Sequence, residues 1–207
     1  MYQFVAEAEV KPYRSYCSKL LTQLRDRLYD EGINSQFVLV GSGGRNMVTR
    51  DGNGPFDLDY NLNILDAEEE YWENPNLLKN TVKKLYNQIF PCYSFSFAKN
   101  STSVITAILY LPEGRQFSFD LAIITEDEDG HYLRLQCDKG NLLQNYIWNQ
   151  VPDSRDLKKK VDFILAKKKW SLVRERYLFF KNQRTQHSFG CYAQAVNEVY
   201  MKLRNKK

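Results

Sequence analysis

The sequence predicts an α+β protein in which a core of mixed β-strands with flanking helices precedes a helical C-terminal region. Three observations predict this class. Several segments between residues 37 and 137 are short and apolar, or alternate between apolar and polar residues, as strands do. Two segments among the first 90 residues have the period of amphipathic helices, and after Asp138 the pattern is helical. We therefore expect two domains, a core at residues 1–138 and a basic helical region at residues 139–207.

The first 64 residues contain one predicted helix and two predicted strands. The helix covers residues 13–31, where leucines recur on one stripe and Gly32 follows as a C-terminal stop. The apolar residues 37–40 predict a strand that runs into a glycine-rich turn at residues 41–44. Residues 56–64 alternate between apolar and polar side chains, which predicts a strand with one buried face.

The following segment alternates between helix and strand before the pattern becomes helical. Asn74 and Pro75 mark the start of a helix that reaches residue 90. Strands are predicted near residues 93–98, 104–111, 116–125 and 132–137, the last two as a hairpin around an acidic turn, and helices at 153–183 and 191–203.

Composition excludes several classes of protein. The chain has 207 residues, 43% hydrophobic and 26% charged, which is enough to bury a core. It has no apolar run near the roughly 18 residues that a membrane helix needs, and no basic segment typical of a secretory signal begins it. The four cysteines form no C-x-x-C pair and there are two histidines, which excludes a thiol-rich zinc site and disfavours disulfides. We expect a reduced, soluble, cytoplasmic protein without a membrane partner.

Charge is distributed unevenly along the chain. Residues 155–207 contain 15 Lys and Arg against 4 Asp and Glu, whereas residues 1–154 carry a net charge of −7. A basic region beside an acidic one favours a polyanionic partner or substrate, such as RNA or a nucleotide. Basic helix faces that are simply solvated remain the alternative.

Three aspartates interrupt predicted strands. Asp57 and Asp59 are two residues apart on one strand, so their side chains point to the same face with Cα atoms roughly 6.5 Å apart. Asp120 interrupts an apolar strand, where a carboxylate is costly to desolvate unless it is paired, exposed in a cleft or bound to a metal. If the two strands are neighbours, the three carboxylates converge. Alternating aspartates on the solvated face of an antiparallel sheet are the alternative.

The converging carboxylates would suit a particular class of metal ion. Oxygen ligands without His or Cys favour Mg²⁺ or Mn²⁺ over zinc. Two such ions about 3.5–4 Å apart can bind the attacking and leaving oxygens of a phosphoryl transfer.

The turn Gly41-Ser42-Gly43-Gly44 is a candidate phosphate site. Glycines let backbone N–H groups approach an anion, and the Ser42 hydroxyl adds a donor. The turn is neither a Walker loop nor a G-x-G-x-x-G motif, because it lacks the Lys-Ser/Thr ending and Asn46 stands at the sixth position.

In this order, Gly41-Ser42, Asp57-Leu58-Asp59-Tyr60 and Asp120 resemble the signature of the polymerase β-like nucleotidyltransferase superfamily. That superfamily includes minimal bacterial nucleotidyltransferases, CCA-adding enzymes, poly(A) polymerases, oligoadenylate synthases and cyclic-dinucleotide synthases. The resemblance covers residues 36–125. The 14 residues between the serine and the first aspartate slightly exceed the usual gap in the family.

The resemblance implies a nucleotidyltransferase catalytic core at residues 1–138, with a mixed sheet. It implies that Gly41 and Ser42 hold the triphosphate of an NTP substrate, that Asp57 and Asp59 hold two Mg²⁺ (or Mn²⁺) ions, and that Asp120 holds the catalytic ion. Asp120 would also help to deprotonate the acceptor hydroxyl. A nucleoside monophosphate moves to that hydroxyl and pyrophosphate leaves.

Two arginines in the loop after the turn are further candidates for nucleotide binding. Arg45 and Arg50 lie close in sequence to the predicted phosphate site, and a guanidinium there would neutralise a triphosphate.

Other functions fit part of the pattern. A catalytically idle nucleotide- or RNA-binding module of the same fold is one, although it would tolerate loss of the carboxylates. A metal-dependent nuclease is another, but it leaves the glycine turn unexplained. The acceptor of a transferase could be RNA, a protein side chain, a small molecule or another nucleotide, and the sequence does not determine the oligomeric state.

Overall fold

The computed structural model describes residues 1–112, 116–138, 145–183 and 186–205. Helices and strands alternate as far as residue 150, and helices follow. In chain order the elements are β1 (Tyr2–Phe4), α1 (Glu7–Asp30), β2 (Ile33–Leu39), α2 (Gly41–Gly44), β3 (Thr49–Asp51), β4 (Phe56–Ala67), α3 (Glu69–Glu73), α4 (Pro75–Ile89), β5 (Lys99–Asn100), β6 (Ile105–Tyr110), β7 (Gln116–Glu126), β8 (Tyr132–Cys137), β9 (Tyr146–Gln150), α5 (Arg155–Ala166), α6 (Trp170–Gln183) and α7 (Ser188–Arg204).

Seven of the described strands form one mixed sheet. Its main path has the order β2-β4-β7-β6-β5, and β8 pairs with both β7 and β9. The central strands β4 and β7 are parallel, whereas the other paired strands of this sheet are antiparallel. This architecture confirms the predicted α+β class with a mixed sheet.

The alternation in β4 determines which side of the sheet is buried. Its apolar side chains, including Leu58 and Leu62, join the leucines of α1 and the apolar side of α4 in the main hydrophobic core. Asp57 is exposed and Asp59 is half-buried, because successive side chains of a strand point to opposite faces. The core therefore lies on one face of the sheet and the carboxylates on the other.

The chain divides into two compact units. The larger unit, Val5–Val48 with Asn53–Val151, contains the seven-stranded sheet, α1 and α4. The smaller unit joins Met1–Phe4, Thr49–Gly52 and Pro152–Lys207.

Within the smaller unit, the N-terminal strand is attached to the C-terminal helices. β1 pairs antiparallel with β3. The side chain of Asn182 on α6 accepts a hydrogen bond from the Tyr2 N–H at 2.7 Å and donates to the Tyr2 carbonyl at 3.1 Å. The rings of Phe4 and Tyr177 stack with centroids 6.5 Å apart. Chain ends that are distant in sequence therefore form one unit.

The prediction that the chain is all-helical after Asp138, with one long helix at 153–183, was wrong in two places. Residues 146–150 form β9, which pairs with β8, so the sheet extends beyond the expected boundary at 138/139. The single helix expected at 153–183 is two helices. Lys168 has a left-handed backbone (φ 55°), the N–H of Lys169 bonds to the carbonyl of Ile164, and that of Lys168 bonds to the carbonyl of Leu165. This pattern ends a helix and is usually made by glycine, so the sequence did not reveal it. The two predicted domains remain a proposal.

Two boundaries in the first half also differ from the prediction. α1 begins at Glu7 and includes Pro12, whereas the predicted helix began after the proline. The strand predicted at 93–98 is absent from the described structure, where Phe90–Tyr93 form a 3₁₀ helix that ends at Ser94 in a left-handed conformation. The predicted hairpin of β7 and β8 is confirmed.

In the part of the chain that the structure describes, we find no helix with the length and apolar character needed to span a membrane.

Candidate active site

The parallel pairing of β4 and β7 brings the three aspartates together. Asp59 lies directly opposite Asp120 in the register, and Asp57 lies opposite Ser118. Each of the three side chains offers a carboxylate oxygen, and these oxygens all lie within 4.8 Å of one another. The two strands are therefore neighbours, and the three carboxylates converge as the sequence predicted.

The carboxylates are costly to ionise together. Burial, followed by the charges of Asp57 and Asp120, raises the pKa of Asp59 to about 6. Burial and the charge of Asp57 also raise the pKa of Asp120, against the effect of its hydrogen bond from Thr106. Like charges held close in a partly desolvated place favour a bound cation.

Two arginines moderate this repulsion. Arg45 and Arg134 are both close enough to lower the pKa of Asp59. Arg45 follows the glycine turn, and its Nη1 donates to the Gly41 carbonyl at 2.9 Å. Arg134 lies on β8 opposite Ile124 of β7. One predicted arginine and one unpredicted arginine thus face the acidic cluster.

Thr106 fixes the orientation of Asp120. It lies on β6 directly opposite Asp120, and its hydroxyl donates to Asp120 Oδ1 in a short hydrogen bond. Thr106 and Arg134 were not predicted as site residues, because a polar residue between apolar neighbours is also typical of the solvated face of a strand. Strand register was the signal needed to find them.

The glycine turn packs directly against Asp59. The Val40 N–H donates to the Asp59 carbonyl at 2.9 Å, and Gly41 has a left-handed backbone (φ 60°). A Cβ atom on Gly41 would lie 2.1 Å from Asp59 Oδ2, so no other residue fits without displacing the carboxylate. Gly43 is buried against Leu58 and Leu39, where a Cβ would also overlap. Ser42 is half-buried in the same turn.

The residues present fit a hard divalent cation. The cluster offers carboxylate oxygens alone, and two of its three members have a raised pKa that a bound cation would reverse. Asp57, Asp59 and Asp120 would hold Mg²⁺ or Mn²⁺.

The predicted site residues are divided between the two compact units. Gly41, Ser42 and Arg45 belong to the same compact unit as the aspartates and lie in or beside the turn. Arg50 lies on β3 opposite Gln3, in the smaller unit. Its role in nucleotide binding stays a prediction.

Comparison of the fold with solved structures gives clear matches. The Vibrio cholerae dinucleotide cyclase DncV, solved with GTP and 5MTHFGLU2, matches with a TM-score of 0.58, 14% identity, and coverage of 86% of this chain and 51% of that chain. CdnC of E. coli MS115-1, solved with ATP, matches with a TM-score of 0.50, 16% identity, and coverage of 93% and 61%. The chain has the polymerase β-like nucleotidyltransferase fold.

A third match to this nucleotidyltransferase fold is V. cholerae DncV, a cyclic AMP-GMP synthase, in complex with the linear intermediate 5′ pppA(3′,5′)pG. Its TM-score is 0.56 at 14% identity, with coverage of 86% of this chain and 51% of that chain. The chain spans about half the length of the DncV structures that it matches. No protein-family model matches the sequence, and no curated protein matches it.

Proposed function

We propose that the chain is a Mg²⁺-dependent nucleotidyltransferase that moves a nucleoside monophosphate from an NTP to an acceptor hydroxyl. The observation that carries the proposal is the register of β4 and β7, which sets three carboxylates within 4.8 Å beside a glycine turn. A solvated sheet face would not need the close contact between Gly41 and Asp59. A nuclease would not need the turn.

The residues have distinct proposed roles. A divalent ion held by Asp57, Asp59 and Asp120 supplies Lewis-acid stabilisation of the charge that develops on the phosphate oxygens. The turn at Gly41 and Ser42 binds the triphosphate, and Arg45 contributes positive charge beside it.

The transfer exchanges one P–O bond for another. The acceptor oxygen forms a bond to the α-phosphorus, and the bond from that phosphorus to the α–β bridging oxygen breaks, so that pyrophosphate leaves. As the new bond forms, the hydroxyl proton passes to the Asp120 carboxylate, which acts as the proton acceptor. Because the Thr106 hydroxyl donates to Asp120 Oδ1, we assign Oδ2 as the oxygen that accepts the proton.

The similar structures support an NTP as donor. They include forms bound to GTP and to ATP, and one bound to a linear dinucleotide. A second nucleotide is therefore the acceptor that the comparisons favour, while the basic region at 155–207 keeps RNA as the other acceptor to test.

The experiment is incubation with each α-labelled NTP and Mg²⁺, alone, with a second NTP, and with single-stranded RNA. Labelled product and stoichiometric pyrophosphate are expected from the wild type. Asp59→Asn should yield neither. Asp66→Asn is the matched control, because Asp66 lies on the same strand, is exposed and bonds only to the N–H of Ala67 in the described structure.

Each result decides between functions. Product without pyrophosphate release, or cleavage of RNA, contradicts the transferase. Mg²⁺-dependent NTP binding without any product under all three conditions supports the idle binding module.

A further inference from the structure

We propose that Glu7 and Arg14 of α1 are positioning residues that hold the Gly41–Gly44 turn in the conformation that binds the triphosphate. Arg14 Nη2 donates to the Gly43 carbonyl at 3.1 Å and to Asn46 Oδ1 at 2.9 Å. The same guanidinium makes two hydrogen bonds to the Glu7 carboxylate, at 2.6 and 3.3 Å. One side chain thus connects the first helix to the turn, at Gly43, and to Asn46, which lies two residues after it.

The turn is costly to order, although it makes backbone hydrogen bonds of its own, such as that from the Gly44 N–H to the Val40 carbonyl at 2.9 Å. Three of its four residues are glycine, which loses more backbone entropy on ordering than any other residue. Gly41 and Asn46 both have left-handed backbones, with φ of 60° and 55°. Asn46 is not glycine, and the bond from Arg14 to its side-chain amide oxygen offsets the strain of that conformation. The hydrogen bonds from Arg14 therefore add support from outside the turn to its own backbone hydrogen bonds.

Helix α1 makes a rigid anchor for this support. Glu7 and Arg14 are seven residues apart, so they lie on the same face two turns apart. The Arg14 side chain is 22% exposed, which shields its hydrogen bonds from water better than those of a surface arginine. Glu7 fixes the guanidinium plane in two places, and this leaves Nη2 directed at the turn.

The inference rests on the proposed function, because the turn is useful only if it binds phosphate. A well-ordered turn would lower the entropy that is lost when the nucleotide binds. Because the carboxylates lie on β4 and β7, loosening the turn should weaken nucleotide binding without removing the metal ligands.

The test compares Arg14→Gln, Arg14→Lys and Glu7→Gln with the wild type. For Arg14→Gln we expect KM for the NTP to rise roughly tenfold while kcat changes by less than about threefold, as for a loss of uniform binding. Mn²⁺ affinity without nucleotide, measured by electron paramagnetic resonance, should stay unchanged. For Arg14→Lys and Glu7→Gln, we expect values of KM for the NTP between those of Arg14→Gln and the wild type.

Hydrogen exchange of the amides of residues 41–47, measured without nucleotide, separates this inference from the proposed function. Faster exchange in Arg14→Gln supports the positioning role even if the wild type transfers nothing. The control is Arg25→Gln, because Arg25 lies on the same helix and pairs with its neighbour Asp26.

Unchanged KM and unchanged exchange in Arg14→Gln overturn the proposal. Equal losses of Mn²⁺ and nucleotide affinity also overturn it, since they indicate general damage to the site. If Arg14→Gln fails to fold, Glu7→Gln decides by the same two measurements.

Discussion

Asp59 is the residue at which burial and charge oppose each other most clearly. Burial, Asp57 and Asp120 raise its pKa to about 6, and Arg45 and Arg134 work against that rise. Between about pH 4 and pH 6 the folded chain holds a proton that the unfolded chain has released. The free energy of unfolding therefore decreases as the pH rises through this window, and the full penalty is present above it.

Asp59→Asn should consequently remove activity and stabilise the metal-free fold. We expect transfer to fall by about 10³-fold or more, because one of the three proposed metal ligands is lost. In EDTA at pH 8 the free energy of unfolding should rise by about 1–2 kcal/mol, and the gain should vanish near pH 4. Thermal unfolding of the variant and the wild type at pH 8 and pH 4 measures this difference in the free energy of unfolding. A lower melting temperature at pH 8 would contradict the assigned repulsion, and Asp66→Asn is the control.

Arg134→Gln should raise the pKa of Asp59 further, because it removes a positive charge that favours the carboxylate. The measurement is a ¹³C NMR titration of the Asp59 carboxyl in EDTA, with a midpoint expected above that of the wild type. Arg25→Gln is the comparison variant, since Arg25 pairs with Asp26 on α1. An unchanged midpoint in Arg134→Gln would show that the guanidinium does not act on this site.

At the scale of elements, the glycine turn and β4 must approach each other closely. The contact depends on Gly41, which combines a positive φ with the absence of a side chain next to Asp59 Oδ2. An alanine at position 41 would be strained by the positive φ, and its Cβ atom would also overlap Asp59 Oδ2.

Gly41→Ala and Gly52→Ala form a matched pair that separates the two obstacles. Gly52 also has a left-handed backbone (φ 56°), but a Cβ atom there has no neighbour within 4 Å among the described residues. Both variants should lose about 1–2 kcal/mol of stability from the strained conformation. Only Gly41→Ala should also lose Mn²⁺ affinity and transfer activity. Equal activity in the two variants would show that the contact with Asp59 has no role.

At the scale of the whole molecule, the basic C-terminal region is the feature that makes RNA a candidate acceptor. Residues 155–207 carry a net charge of +11. Within this region Lys160 bonds to Asn197, and Lys159 lies 3.7 Å from Asp156 in an exposed pair.

If RNA is the acceptor, its binding should weaken steeply with salt. Released counterions give a log–log slope of about −0.7 per contacted phosphate on a single strand. A Lys158/Lys159/Lys160→Gln variant should reduce this slope, as measured by titration of single-stranded RNA at several salt concentrations. The same slope in variant and wild type would leave these lysines as a solvated face, and a flat response in both would exclude a nucleic-acid acceptor.

Much of the fold could be predicted from the sequence because the information is local. The alternation in residues 56–64 identifies a strand and its buried face, and the apolar run around Asp120 identifies another. Asn74 with Pro75 marked the start of α4, where the Asn74 side chain accepts from the Leu77 N–H. Local hydrogen bonding and side-chain period suffice for such elements.

Other elements could not be predicted because their cause lies elsewhere in the chain. β9 exists because β8 offers it a pairing edge, and the end of α5 depends on a left-handed lysine, Lys168, which composition does not reveal. The strand expected at 93–98 does not form, because this segment meets β6 through an isolated bridge from Phe95 to Leu109 and a hydrogen bond from the Ser96 N–H to the Ile108 carbonyl, without a continuous ladder.

By itself the sequence determined which chemistry is present: three aspartates, a glycine turn, and strands able to carry them. The tertiary structure alone decided that these groups meet. Each of the contacts that form the site joins residues distant in sequence. The parallel register sets Asp59 opposite Asp120, the Thr106 hydroxyl donates to Asp120, and Arg14 donates to the Gly43 carbonyl. The physical reason is that side-chain period is a local property, whereas strand order and register follow from how the whole core is buried.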